Sequence, residues 1–440
     1  MGKRVERILK KLRNTFLVLI LLFLLIVYQS KKMHNQRVAM QIPNNALKYI
    51  LFEKSKGRPK DIIQLRTIVS HHNKKINILN SDNFGPITNN TIVFAITVDK
   101  FSINLQFLIV SLSQIRGIHQ VLLVFSHSIY DEDINKLIGT IDFCRVLQIY
   151  YPYSLQMYPD EFPGYSLQDC PHDMDMKTAR AINCTGFLFP DIRGHFRDPK
   201  HVQQKQHWWW TANVVFESVL SIVMDYERVV VFLNDDIYLL KDFLYMILFM
   251  EKISNDLGTC EFLTLDHRNL NFLRSIDGLE LTPWDLNYEP SALAFDFNVW
   301  NSIVSNYDLF CAVDDSSWTR SLIYVSDKRK KASRFRILSS MFPRTYKINS
   351  CMFERTLEYC DIKENVYQIL ELQKNLNDFL FPTHLELYIP IQDEDDPLVN
   401  DDVVGFGGWS DPRDKDMCDN ITLSKIKKIV LGMRNEIAQF

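Results

Sequence analysis

A chain of 440 residues that is 47% hydrophobic and 23% charged is long and apolar enough to bury a sizeable core, which excludes a disordered protein and leaves room for one large domain or two ordinary ones. A formal charge of −3 at pH 7 supplies no overall attraction for nucleic acid or for an anionic membrane. No nucleic-acid partner is expected, and any partner has to be read from local sites.

The first predicted element is a membrane segment. Six cations (Lys3, Arg4, Arg7, Lys10, Lys11 and Arg13) precede an unbroken apolar run from Phe16 to Tyr28. The run is shorter than the roughly 20 residues of an ordinary spanning helix, so a cleaved signal peptide competes with a signal-anchor. Gln29-Ser30-Lys31-Lys32-Met33 offers no small-x-small cleavage site, which favours the anchor. The cations place 1–15 in the cytosol, 16–28 in the membrane and the remainder in the lumen. In that oxidising compartment the eight cysteines are disulfide candidates; none forms a CxxC pair, so a zinc cage is not expected.

Residues 29–88 are polar and read as a luminal stem, with residues 89–440 as the folded domain. From Thr91 short apolar runs alternate with longer amphipathic ones. The pattern predicts strands over Thr91–Val98, Gln120–Phe125, Arg145–Tyr151 and Val229–Leu233. It predicts helices over Ile103–Ile115, Asp131–Ile138, Trp209–Met224 and Lys241–Glu251. Such alternation implies an α/β domain with a mainly parallel, Rossmann-like sheet and helices on both faces.

The segment Val229-Val230-Val231-Phe232-Leu233-Asn234-Asp235-Asp236 runs a hydrophobic strand straight into two acids. Ligands of open α/β sheets gather at the carboxyl ends of strands. A carboxylate there suits a hard divalent cation that bridges to a nucleotide diphosphate. The competing reading is a helix cap or a solvated turn. Three tryptophans, Trp208 to Trp210, read as core packing before a sugar platform. Lys328-Arg329-Lys330-Lys331 and the acidic run Asp393 to Asp396 read as exposed loops.

Longer motifs carry a resemblance. Val121 to His127, Cys144 to Pro152, Met157 to Gly164, Asp169-Cys170-Pro171, Gln203 to Trp210, and Gly407-Gly408-Trp409-Ser410-Asp411-Pro412-Arg413-Asp414 together resemble the N-acetylglucosaminyltransferase II family, in order and over roughly residues 91 to 420. The resemblance implies a GT-A-type glycosyltransferase domain in a type II protein of the Golgi membrane. It implies UDP-GlcNAc as donor, an N-glycan with a terminal α-1,6-linked mannose as acceptor, Mn²⁺ as cofactor and an inverting displacement. It also implies disulfides between Cys170 and Cys184, Cys311 and Cys418, and Cys351 and Cys360, leaving Cys144 and Cys260 as free, buried thiols.

Carried over position by position, the resemblance makes Asp236 the metal ligand and assigns substrate contact to Gln203, Gln204, Lys205, Gln206 and His207. The donor-binding run falls on Thr97, Val98, Asp99, Lys100 and Phe101, where the family arginine is missing, and the uridine-contacting aspartate aligns with Ser128. The second metal ligand, a histidine in the family, is Lys347, which cannot coordinate a cation while protonated. The base, an aspartate in the family, is Thr319, whose hydroxyl is too weakly basic for the task. Three readings stay open. Lys347 replaces the charge of the metal and Asp314 or Asp315 acts as base; the fold is kept as a catalytically impaired glycan-binding or scaffolding protein; or the alignment slips around Lys328 to Arg334.

Overall fold

The apolar runs divide by parity between two cores. In strand β1 (Ile92–Val98), Ile92, Phe94, Ile96 and Val98 enter one core, and Val93 and Ala95 enter the other. Strand β2 (Val121–His127) does the same, with Val121, Leu123 and Phe125 on the first side and Leu122 and Val124 on the second. Successive strand side chains point to opposite faces, so a strand covered on both sides reads as an unbroken hydrophobic run.

The computed structural model describes residues 41–55, 61–266, 276–284, 289–328, 334–349, 361–390 and 405–422. After β1 and β2 come β3 (Arg145–Tyr150), β4 (Val230–Asn234), β5 (Ile237–Leu239), β6 (Phe262–Thr264), β7 (Gly278–Pro283), β8 (Ala292–Phe295), β9 (Arg336–Ser340), β10 (Thr345–Lys347) and β11 (Glu386–Tyr388). Among the described residues nine of these form one sheet in the order β11-β7-β9-β6-β8-β4-β1-β2-β3, and β10 pairs with β5. Helices Ile103–Gln114, Glu132–Gly139 and Phe243–Leu257 cover the first face, while Pro199–Val214, Phe297–Val304 and Trp318–Asp327 cover the second.

The half made of β3, β2, β1 and β4 is parallel, as expected. The other half is mixed: β8 runs antiparallel to β4 and β6, and β7 antiparallel to β9. The expectation of a mainly parallel sheet fails there because apolar runs report burial on two faces and carry no strand direction. One helix also starts earlier than predicted. Asp198 caps it by accepting the Lys200 N–H and Pro199 takes its first turn, so it spans Pro199–Val214. A π turn, Val215–Val219, and a 3-10 turn, Leu220–Ile222, then carry the chain toward β4.

Packing begins before the boundary at 89. Ile42, Ala46 and Tyr49 are buried in the first core, and Leu65 and Val69 of helix Ile62–Lys74 are buried with Tyr150 and Met157. The C-terminal part of the segment read as a stem is therefore part of the folded unit. The predicted anchor, 16–28, lies outside the described residues; within them no helix is long and apolar enough to cross a membrane.

Two of the implied disulfides are present, Cys170–Cys184 and Cys311–Cys418, while Cys351 and Cys360 lie outside the described residues. Cys144 and Cys260 are both free. Cys144 is buried, but Cys260 is only half-buried, and burial raises its thiol to about 11.

Candidate functional site

Strand register builds the site. Thr97 of β1 pairs with Asn234 of β4, so Asp99 and the pair Asp235 and Asp236 emerge side by side from two neighbouring parallel strands. β2 and β3 lie on one side of β1 and β4 on the other, which makes the β1–β4 boundary the switch point of the sheet, where open α/β folds bind ligands. A cavity of about 370 Å³ sits there, lined among others by Asp99, Asp236, His207, Glu289, Thr319 and Lys347.

The acids repel one another. Burial first, then the carboxylates of Asp99 and Asp236, push Asp235 up to about 7. Asp236 Oδ1 is buried without a hydrogen-bond partner among the described residues. A hard cation fits such a site, since it takes oxygen ligands and relieves the repulsion between carboxylates. Among the described residues two other groups converge closely enough to suggest a metal cage, His172 with Asp173 and His195, and Asp277 with His384 and Glu386, but neither lines this cavity. Here a cation would rest on Asp236 and on oxygens of its ligand.

Lys347 reaches the cavity through the small sheet. β10 runs antiparallel to β5 with Lys347 opposite Ile237, and the Ile348 N–H donates to the Asp236 carbonyl at 2.8 Å. The position that resembles a metal-binding histidine thus stands beside the strand end bearing Asp236, with an ammonium in place of an imidazole. Its charge also reaches Asp266, which desolvation raises to about 6 against the opposing pull of the Ser291 N–H and of Lys347.

The donor-binding run separates. Thr97 and Asp99 line the cavity, Val98 is buried in the first core, Lys100 is exposed and Phe101 packs beside Phe52. Ser128 is buried and donates to the Asp99 carbonyl at 3.4 Å, shaping the loop after β1 without lining the cavity.

The run from Gln203 to His207 separates in the same way, since successive helix positions point about 100° apart. Gln204 and His207 line the cavity. Gln203 accepts the Leu155 N–H at 2.7 Å, Lys205 donates to the carbonyls of Val313 and Asp315, and Gln206 bridges Tyr151 and Asp414. These three therefore hold the scaffold. Burial lowers His207 to about 4, so its imidazole is neutral near pH 7.

The tryptophans pack, as expected, with one addition. Trp208 stacks on Trp318 with centroids 4.2 Å apart, and its buried indole N–H has no partner among the described residues although the residue lines the cavity.

Asp314 and Asp315, the expected substitutes for the base, are engaged elsewhere. Asp314 accepts the N–H groups of Trp409 at 2.8 Å and Ile192 at 3.2 Å. Asp315 accepts those of Ser317 and Phe406, both at 2.8 Å. Each of the four oxygens accepts one backbone N–H, and neither residue is among those that line the cavity. They tie the entry of helix Trp318–Asp327 to the Gly405–Asp411 loop, which crosses close by. Gly407 holds φ +91, and a Cβ there would lie 2.6 Å from Asp191 Oδ2.

Thr319 is buried at the cavity wall, with Oγ1 2.8 Å from Ser317 Oγ. Glu289, missed in the sequence, lines the same cavity, and its Oε2 lies 3.4 Å from Ser317 Oγ while its Oε1 pairs with Arg320. A lone acid in Tyr288-Glu289-Pro290 carries no pattern that would have marked it.

The N-acetylglucosaminyltransferase II (MGAT2) family model matches residues 66–418. The chain is 30% identical over 361 residues to the alpha-1,6-mannosyl-glycoprotein 2-beta-N-acetylglucosaminyltransferase of Rattus norvegicus, covering 81% of this chain and 80% of that one. It is 30% identical to the Homo sapiens protein of that name, covering 81% and 79%, and 28% identical over 252 residues to that of Arabidopsis thaliana, covering 56% of each. A solved structure, mouse xyloside xylosyltransferase 1 in its apo form, is similar at a TM-score of 0.25 and 10% identity, covering 53% of this chain and 74% of that one.

Proposed function

Because the chain belongs to the N-acetylglucosaminyltransferase II family, we propose that it transfers GlcNAc from UDP-GlcNAc, in β-1,2 linkage, to the α-1,6-arm mannose of N-glycans in complex N-glycan synthesis. The observation that supports this reading is the cavity at the β1–β4 switch point, lined by Asp99, Asp235, Asp236 and Lys347. The sheet is read as a GT-A-type domain. The basic N-terminus and the apolar run 16–28 support a single-pass type II protein of the Golgi membrane with this domain in the lumen.

The reaction is an inverting displacement. The mannose 2-hydroxyl oxygen bonds to the anomeric carbon as it loses its proton, and the bond from that carbon to the UDP oxygen breaks on the opposite face. Asp236 would hold a divalent cation, Mn²⁺ by family, which supplies positive charge to the leaving diphosphate when bound. Lys347 offers positive charge from the chain itself, of the kind that fixed cationic groups bring to developing phosphate charge. The stacked rings of Trp208 and Trp318 form an apolar part of the cavity wall.

The full chain, purified in detergent from a secretory host, is incubated with UDP-GlcNAc and a hybrid-type N-glycan, with and without EDTA. A product carrying a new β-1,2 linkage on the α-1,6-arm mannose supports the reading. No transfer under any metal condition, with measurable glycan binding, favours the second reading, a catalytically impaired glycan-binding or scaffolding relative. Thr319 and Lys347 at the family's base and metal-ligand positions are what recommend that second reading.

A further inference from the structure

Transfer needs a proton acceptor near the attacking hydroxyl, and Thr319 at the position resembling the base cannot serve. Asp314 and Asp315 each accept two backbone N–H groups and do not line the cavity. Of the carboxylates that line the cavity among the described residues, Asp99, Asp235 and Asp236 stand together at the ends of β1 and β4. The remaining one is Glu289, on the Thr319 side. Ser317 Oγ lies 2.8 Å from Thr319 Oγ1 and 3.4 Å from Glu289 Oε2, so one hydroxyl links the base position to this carboxylate.

We infer that Glu289 is the base of this transferase, displaced from the position of Thr319 to the opposite side of Ser317. The inference rests on the transfer activity proposed above. Glu289 Oε2 takes the proton of the acceptor hydroxyl, the freed oxygen pair forms the bond to the anomeric carbon of the donor, and the pair of the broken carbon–oxygen bond leaves on UDP.

The carboxylate is held for this task by a chain of contacts. Oε1 pairs with Arg320, the Arg320 guanidinium lies over the Phe406 ring at 3.8 Å, and the Phe406 N–H is fixed by Asp315 at 2.8 Å. Asp315 and Arg320 are positioning residues, and they leave Oε2 facing Ser317. At 41% side-chain exposure Glu289 also lies open enough for an acceptor sugar to approach.

The test uses the full chain with UDP-GlcNAc and the N-glycan acceptor, comparing wild type, Glu289→Gln, Thr319→Asp and the double variant. Glu289→Gln is expected to lower kcat on the order of 100-fold or more, with UDP affinity by calorimetry and the thermal midpoint unchanged. In the double variant Thr319→Asp is expected to restore at least tenfold of that loss, by returning a carboxylate to the other side of Ser317. If wild type transfers and Glu289→Gln retains its kcat, or loses only donor affinity, the base is elsewhere and the transfer reading stands. A wild-type chain that transfers nothing overturns both readings. A Glu289→Gln protein with a lowered thermal midpoint is replaced by Glu289→Asp, for which a kcat below one tenth of wild type is expected and an unchanged kcat would overturn the assignment.

Discussion

The Asp314 carboxylate accepts the backbone N–H of Trp409 at 2.8 Å, across 95 residues of chain. Its second oxygen holds the Ile192 N–H at 3.2 Å, so one side chain fastens two loops to the entry of the Trp318–Asp327 helix. Asp314→Ala leaves both donors without that acceptor, at about 1–3 kcal/mol for each that stays buried. Urea denaturation is expected to show the loss of stability, while kcat at a temperature where the variant is folded stays within about threefold of wild type, far from the 100-fold effect of removing a base. A large fall in kcat with unchanged stability would return Asp314 to the chemistry.

Arg197 and Asp414 form a second long-range tie, paired at 2.6 Å and 2.9 Å with side chains 4% and 0% exposed. Asp414 also accepts from Gln206 of the helix that carries His207 to the cavity. Removing one partner strands a buried charge, which costs about 3–5 kcal/mol. Asp414→Ala is expected to unfold at correspondingly lower denaturant. Arg197→Lys is expected to lose part of that stability, because an ammonium cannot reproduce the two-pronged contact.

Acid is expected to weaken the fold through His127. Its ring is buried, stacked on Tyr150 with centroids 4.7 Å apart, and bonded to Gln148 at 3.1 Å. Burial lowers it to about 3, an effect reinforced by His207 and His72 and opposed by Gln148 and Asp131. With a depressed folded value, the contribution of the neutral ring is complete above the unfolded value of 6.5. It is lost as pH falls from there toward 3, because only the unfolded chain takes up the proton. Stability is expected to fall by up to about 1.4 kcal/mol per pH unit for this group. His127→Gln flattens the slope between pH 6.5 and 4.5 in denaturation experiments; an unchanged slope would assign the effect to other groups, His207 first.

Lys347 is expected to set how far the protein depends on a metal. Lys347→His replaces a cation with a neutral ligand beside the strand that carries Asp236. Affinity for Mn²⁺, read by calorimetry with UDP present, is expected to rise about tenfold or more, the scale of effect that ligand changes have on metal sites. Lys347→Ala is expected to weaken UDP binding in EDTA by roughly tenfold through loss of a charge-assisted contact to phosphate. Identical UDP affinity for wild type and Lys347→Ala would remove Lys347 from the donor site.

The sequence by itself determined the parallel half of the sheet and the strand end bearing Asp235 and Asp236, through strand–helix alternation and a strand that runs into two acids, and its family motifs implied Asp99 and the pairs Cys170–Cys184 and Cys311–Cys418, because all of these are local signals. The tertiary structure alone decided the direction of β7 and β8, the early start of the Pro199–Val214 helix, and above all the fate of the acids. Asp314, Asp315 and Glu289 are equivalent as letters. They differ in where folding sets them: Asp314 and Asp315 accept the N–H groups of Trp409 and Phe406 without lining the cavity, whereas Glu289 lines it. A carboxylate can take a proton from a substrate only where folding leaves it at the cavity, and the contacts that hold Asp314 and Asp315 in the scaffold come in part from Ile192, Phe406 and Trp409, 91 to 122 positions away.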